Sequence, residues 1–161
     1  MKKYELTEET FTVFGKTLYR IRAVRDFGSV KTGEFGGYIE KEENLSHFGN
    51  AWVSGNAWIS GNAKVYGDAR VSGNARVFGN AEVFNTRHFF VQGPIGSRDG
   101  YVTFYRTKDD TVEVRCGCFS GSLQEFVNQV EETHGGSRYE KEYKLAAELA
   151  KVCIRLEGES R

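Results

Sequence analysis

The chain of 161 residues contains a single proline and a single methionine, and its three cysteines, Cys116, Cys118 and Cys153, are too few and odd in number for a disulfide framework. A reducing compartment, and with it a cytoplasmic location, is the expectation. Net charge is also missing: 22 basic residues balance 22 acidic ones, so no overall field draws the protein to nucleic acid or to an anionic membrane. No run of about 18 apolar residues occurs, which excludes a helical membrane span. The opening Met-Lys-Lys-Tyr-Glu-Leu-Thr-Glu-Glu carries two lysines with no apolar stretch behind them, unlike a secretory signal. Histidine is scarce, with only His47, His88 and His134, which leaves little material for acid–base or metal chemistry.

What the chain does have is glycine, 19 residues, many of them at a fixed interval. From Val53 it reads Val-Ser-Gly-Asn-Ala-Trp, Ile-Ser-Gly-Asn-Ala-Lys, Val-Tyr-Gly-Asp-Ala-Arg, Val-Ser-Gly-Asn-Ala-Arg, Val-Phe-Gly-Asn-Ala-Glu, Val-Phe. The aliphatic positions are Val53, Ile59, Val65, Val71, Val77 and Val83, and Ala57, Ala63, Ala69, Ala75 and Ala81 follow four residues after the first five. A period this short belongs to a chain that coils rather than folds back on itself. Valine and alanine point inward, and the Gly-Asn or Gly-Asp pairs make corners because these residues tolerate positive φ. A run of ordinary hairpins would instead need two-residue alternation without a glycine every sixth position. Such a coil buries its core only by stacking, so its outer faces call for partners.

This pattern, from about Val30 to Phe84, resembles the hexapeptide-repeat left-handed β-helix family. The resemblance implies a short left-handed parallel β-helix with three hexads per turn, side-by-side trimerisation, and residues 18 apart stacked on one face. Trp52 would then lie over Arg70 and Trp58 over Arg76 as cation–π pairs. Lys64 would face Glu82, Tyr66 would stack on Phe84, and Asn56 and Asn62 would ladder on Asn74 and Asn80. Between Gly28 and Gly49 the phase is ragged, with Ile39 and Leu45 expected in register with Ala51 and Ala57.

Three segments are therefore expected: residues 1–29 as N-terminal strands or a cap, 30–87 as the hexapeptide coil, and 88–161 as a small module. In the first, Phe11–Phe14 and Leu18–Val24 flank a turn at Gly15. The module reads as a three-stranded antiparallel sheet from 88–91, 101–107 and 111–116, followed by two helices. Capping boxes open the helices at Ser122/Glu125 and Ser137/Glu140, glycine after His134 ends the first, and the second runs to about Leu156. Tyr139, Tyr143, Ala146, Ala150 and Cys153 form one apolar stripe of that helix; Leu145, Leu149, Val152 and Leu156 form another. A helix apolar on two sides packs twice, here against the sheet and against a neighbouring subunit.

Candidate chemistry is thin. Many hexapeptide-repeat proteins are acyltransferases with a histidine base, and His47 is the weak candidate for that role. Cys116 and Cys118 with His134 fall short of the usual four-ligand zinc spacing, so no metal and no cofactor is expected. Lys64, Arg70 and Arg76 form a short basic stripe beside Trp52 and Trp58, but nucleic acid remains an unfavoured partner. The most suggestive stretch is Gly-Pro-Ile-Gly-Ser-Arg at 93–98, followed by 103–106 and 115–119. A glycine-rich loop with Ser97 and Arg98 suits phosphate or carboxylate, and Tyr101, Phe104 and Tyr105 suit a planar base. The candidate ligand-binding set is Ser97, Arg98, Tyr101, Thr103, Phe104, Arg106, Arg115 and Tyr139.

That order of motifs, with Cys-Gly-Cys-Phe at 116–119, Thr-His-Gly at 133–135 and a tyrosine-bearing helix, is similar to a small domain of phage and prophage proteins, covering Phe89 to about Leu156. The front end, Leu-Tyr-Arg-Ile-Arg at 18–22 through Gly-Gly-Tyr-Ile-Glu at 36–40, likewise looks like phage-borne hexapeptide proteins. The resemblance implies a viral or prophage accessory protein and brings no catalytic residues with it. The resulting expectation is a non-enzymatic, self-associating binding module, further joined through its C-terminal helices. It would sequester a small anionic, nucleotide-like signalling molecule of the host or else block a host protein. An acyltransferase and a structural virion component are the alternatives.

Overall fold

The computed structural model describes residues 1–158. They form a mainly β structure with two helices at the C-terminal side. In chain order the strands are β1 (Tyr4–Val13), β2 (Lys16–Ala23), β3 (Phe35–Ile39), then six two-residue strands, β4 (Trp52–Val53), β5 (Trp58–Ile59), β6 (Lys64–Val65), β7 (Arg70–Val71), β8 (Arg76–Val77) and β9 (Glu82–Val83). There follow β10 (Phe89–Ile95), β11 (Gly100–Arg106), β12 (Val112–Cys116) and β13 (Phe119–Ser122), and the helices α1 (Leu123–His134) and α2 (Arg138–Cys153).

The hexads pair with one another in parallel, eighteen residues apart. Val53 meets Val71, Ile59 meets Val77 and Val65 meets Val83, with Trp52 beside Arg70, Trp58 beside Arg76 and Lys64 beside Glu82. All the inward valines and alanines from Ala51 to Val83 are at most 1 % exposed. A fully buried valine is worth roughly 1.5–3 kcal/mol relative to an exposed one, so this narrow line of small side chains is the main apolar investment of the region. The corners stack through backbone: Asn56 N–H donates to Gly73 O and Asn62 N–H to Gly79 O, both at 3.1 Å. Gly55 shows why the position is glycine, since its φ is +61° and a Cβ there would lie 3.2 Å from Gly73 N.

The first parallel strand is β3, and its register differs from the expectation. Ile39 pairs with Ile59 and Leu45 with Val65, twenty residues apart, so both join the aliphatic line rather than the alanines at 51 and 57. Two extra residues in the Ser46–Asn50 corner produce the offset. Ahead of it, β1 and β2 form an antiparallel hairpin across the two-residue turn Phe14-Gly15, and β2 pairs with β3, giving a mixed sheet in the order β1-β2-β3-β5-β8. Tyr4, Ile21, Phe27 and Val30 share one buried cluster with the hexads.

The C-terminal sheet has four strands, not three, in the order β10-β11-β12-β13, all antiparallel. The added strand arises because Gly117, at φ +57°, turns the chain so that Phe119 pairs back with Cys116. Ser122 caps α1 with a full capping box, accepting from Glu125 N–H while the Glu125 carboxylate accepts from Ser122 N–H. At α2 the box is displaced: Ser137 Oγ accepts from Glu140 N–H, but the Glu140 carboxylate takes Gly136 N–H. This helix stops at Cys153, three residues short of the expected Leu156, where Ile154 turns to extended backbone and is itself buried.

Period-two alternation along β11 builds two cores. Val102 and Phe104 face α1 and α2 together with Val114, Phe126, Val130, Ala146, Ala147 and Ala150. Tyr105 points the other way and joins the hexad cluster. Of the two stripes read on α2, the alanine stripe is buried, whereas Leu145, Leu149 and Val152 are exposed. Among the described residues no helix is long and apolar enough to cross a membrane.

Candidate functional site

Two of the sequence candidates sit in the framework that joins the hexads to the sheet. Thr103 is buried and its Oγ1 accepts the Arg76 backbone N–H at 2.9 Å, which closes an open edge of β8. Arg106 is buried on the far side, donating to Glu82 O at 2.9 Å, to Asp110 at 2.9 Å and to Glu157 at 3.2 Å, with its guanidinium 5.0 Å above Phe84. Phe104 is fully buried in the helix-side core and cannot meet a ligand. Tyr139 stands edge-on to His134, 5.8 Å between ring centres, and does not line the cleft that gathers the other candidates.

The other four candidates, Ser97, Arg98, Tyr101 and Arg115, come together. They line a cleft of about 840 Å³ between the sheet, the hexads and the tip of the β1–β2 hairpin. Its remaining walls include Phe14 from the hairpin, Trp58, Arg76 and Phe78 from the hexads, and His134 and Tyr143 from the helices. Among the described residues three arginines face this space and no aspartate or glutamate lines it, in a chain whose net charge is zero.

Each arginine is held differently. Arg76 lies 3.7 Å over the Trp58 ring, and its Nη1 donates to the carbonyls of Asn56, Asn74 and Ala75. Burial pulls its pKa down to about 10, so it stays cationic at neutral pH but is committed to the scaffold. Arg115 is clasped between two rings, 4.3 Å from Phe78 and 5.2 Å from Phe14. Arg98 is exposed in the β10–β11 turn. Among the described residues neither Arg98 nor Arg115 has an ion-pair partner, so their fork-shaped donors are open to an anion.

The glycine-rich loop does not cradle a ligand through all its backbone donors. Gly96 N–H is taken by the Glu142 carboxylate at 2.7 Å, and Gly96 Cα packs directly on the Tyr143 hydroxyl. The loop is thereby pinned to α2, and that anchoring presents Ser97 and Arg98 at the rim. Deeper in, Cys116 and Tyr143 share a hydrogen bond, and burial raises both of their pKa values above the ordinary ones. Cys116, Cys118 and His134 all border the cleft, yet among the described residues no group of three His, Cys, Asp or Glu side chains is placed to hold a metal.

His47 has a structural post. Its ring stacks on Tyr4 at 4.1 Å, Nδ1 accepts Lys3 N–H at 3.0 Å, and Nε2 lies 2.9 Å from Glu42 Oε1. With Nδ1 accepting, the proton sits on Nε2 and is donated to Glu42, leaving no free lone pair for proton abstraction. Glu42 is held below the ordinary carboxylate range chiefly by this contact. Beside it, Trp52 is in register with Arg70 but packs on Phe27 and Tyr4 instead of forming the expected cation–π pair.

Sequence reasoning missed Phe14, Trp58 and Phe78 as cleft residues. Phe14 did carry a signal: it occupies the first position of a two-residue hairpin turn and adopts φ +52°, where Gly, Asn or Asp is the low-strain choice. Trp58 and Phe78 carried none, because whether an outward hexad residue meets solvent or a wall depends on where the sheet docks. No family model matches this chain, and no curated protein matches its sequence.

Proposed function

We propose that this chain is a self-associating binding module of a phage or prophage that sequesters a small anionic, nucleotide-like molecule of the host in the cleft between hexads and sheet. One observation carries the reading: among the described residues, the largest concavity gathers three arginines and five Phe, Tyr or Trp rings, with no carboxylate in its lining. Its volume falls in the usual range for small-molecule sites, which are partly apolar with a few fixed polar groups. Guanidinium forks suit phosphate, and exposed rings suit a base.

The scaffold in this proposal is a short left-handed parallel β-helix. The three ladders eighteen residues apart support three hexads per turn; the handedness and the trimer come from the resemblance to hexapeptide-repeat proteins. The exposed Leu145, Leu149 and Val152 on α2 support further contact between copies.

The test is native mass spectrometry of the protein purified from its host cells, followed by calorimetric titration with nucleotides. An oligomer carrying stoichiometric mass of nucleotide size, lost in Arg98→Ala or Arg115→Ala, supports sequestration. A bare oligomer that retains coenzyme A points to acyl transfer instead, and activity that vanishes in His47→Ala would do the same. High abundance in purified particles would make it a virion part.

A further inference from the structure

We infer that the cleft takes a ligand with two separated anionic groups and a planar ring between them, the chemistry of a dinucleotide, with one anion at Arg98, the other at Arg115 and the ring on Tyr101. This rests on the reading of the cleft as an anion site.

The two open arginines mark opposite ends. Thr103 is the register partner of Arg115, and Arg98 lies in the turn beyond Gly100 on the same side of the sheet's run. Three strand steps from Gly100 to Thr103 span roughly 10 Å at about 3.3 Å each, before the turn adds more. Arg115 cannot swing across that gap, because Phe14 and Phe78 grip its guanidinium from two sides. It also borders a second, smaller groove with Lys16 and Gly79, which places it at the boundary of the main cleft. Arg98, at the other end, is close enough to Tyr143 to act on its phenol electrostatically. Arg76 is a poorer pole than either, since its Nη1 is held by three carbonyls and its guanidinium lies 3.7 Å over the Trp58 ring.

Tyr101 stands between the poles. It follows Arg98 by three residues and precedes the partner of Arg115 by two, and its ring is 41 % exposed while its neighbours Val102 to Thr107 are buried. An exposed ring set along the strand between two open arginines of the same cleft is a stacking platform for a base, worth about 1–3 kcal/mol per base by substitution. A lone phosphate or a mononucleotide would engage one pole and leave the other idle.

Isothermal titration of the full chain with pyrophosphate, adenosine 5′-monophosphate, the doubly phosphorylated dinucleotide pApA and a ten-residue oligoadenylate tests this. The expected order places pApA at least about tenfold above the monophosphate, roughly 1.4 kcal/mol. Arg98→Ala, in an exposed turn where folding is not at stake, should bring pApA down to the monophosphate level, and Tyr101→Ala should weaken pApA without changing pyrophosphate. Equal affinity for pApA and the monophosphate overturns the two-pole inference while leaving the anion site standing. A decamer that binds well above pApA overturns it in favour of a strand-binding surface. Binding of none of the four removes the anion site itself.

Discussion

The Arg76 guanidinium lies 3.7 Å above the indole of Trp58, eighteen residues earlier in the chain and directly beside it in the parallel ladder. The contact reaches beyond packing. Arg76 also closes three corner carbonyls, its backbone N–H is satisfied by Thr103, and both rings and charge face the cleft. One residue therefore couples the hexad register, the docking of the sheet and the cation content of the site.

Removing that side chain should be expensive. Arg76→Ala leaves the Asn56 and Asn74 carbonyls without their donor, while Ala75 O keeps the Trp58 N–H, and it uncovers Trp58, so urea unfolding should show a loss of about 2–3 kcal/mol. Trp58→Ala should lose less. A double-mutant cycle between the two should give a coupling of about 1 kcal/mol, because part of each single loss is the same contact. Additive losses would mean that the ring and the cation are neighbours without mutual attraction.

The contrast with Trp52 shows how far the sequence could be read. Both tryptophans have an arginine at the same offset, and both registers are those that the resemblance to hexapeptide-repeat proteins implies. Only Trp58 keeps its arginine, because Phe27 and Tyr4, far apart in sequence from the hexads, fold over Trp52 and bury it to 3 % exposure. Local periodicity carries information about which residues pair along the chain. It carries none about what a distant segment lays on top. The same limit applies to the candidate site: of the residues singled out by their chemistry, Ser97, Arg98, Tyr101 and Arg115 line the cleft, whereas Thr103, Phe104 and Arg106 are buried because β11 is covered on both faces, which no pattern within seven residues reveals. The twenty-residue first turn was hidden for a different reason, since two extra residues in a glycine-bearing corner look like any other irregular loop.

Gly96 is the fixed point of the glycine-rich loop at 93–98. At φ +80° its Cα packs against the Tyr143 hydroxyl, so a methyl group has neither the backbone conformation nor the room it needs. Gly96→Ala should destabilise the protein by about 2 kcal/mol or more and displace Ser97 and Arg98, and titration should show weakened anion binding even at temperatures where the protein remains folded. Unchanged binding in a folded variant would mean that the loop position does not matter to the site.

Stability should rise with pH in an unusual window. Lys3 is fully buried, with its Nζ donating to Ala51 O at 2.6 Å and lying 4.7 Å from the Phe27 ring, and no carboxylate pairs with it among the described residues. Burial first, and the nearby Arg25 second, lower its pKa from 10.5 to about 8. Between those values the unfolded chain holds a proton that the folded chain has released, so unfolding free energy increases with pH. The full shift corresponds to at most about 3 kcal/mol. The clean part of the rise is from pH 8 to just below 9, because the Cys116 thiol, and above it the phenols of Tyr4 and Tyr105, all raised by burial, work in the opposite direction once their unfolded counterparts ionise. Urea midpoints should climb across this window in the wild type and stay flat in Lys3→Met.

Phe14 offers the sharpest separation of stability from function. A bulky aromatic at φ +52° in a two-residue turn is strained by about 1 kcal/mol or more, and its ring is 64 % exposed, so burial does not compensate for the strain. What the ring does is hold one side of the Arg115 guanidinium at the mouth of the cleft. Phe14→Asn, a residue that tolerates this backbone, should therefore stabilise the hairpin by about 0.5–1 kcal/mol in thermal or urea unfolding. The same variant should bind a dinucleotide several-fold more weakly, because Arg115 loses half of its clasp and the cleft loses a wall. A gain in stability together with a loss in affinity identifies the strained turn as part of the binding site; a gain in both would reduce Phe14 to an unfavourable turn residue.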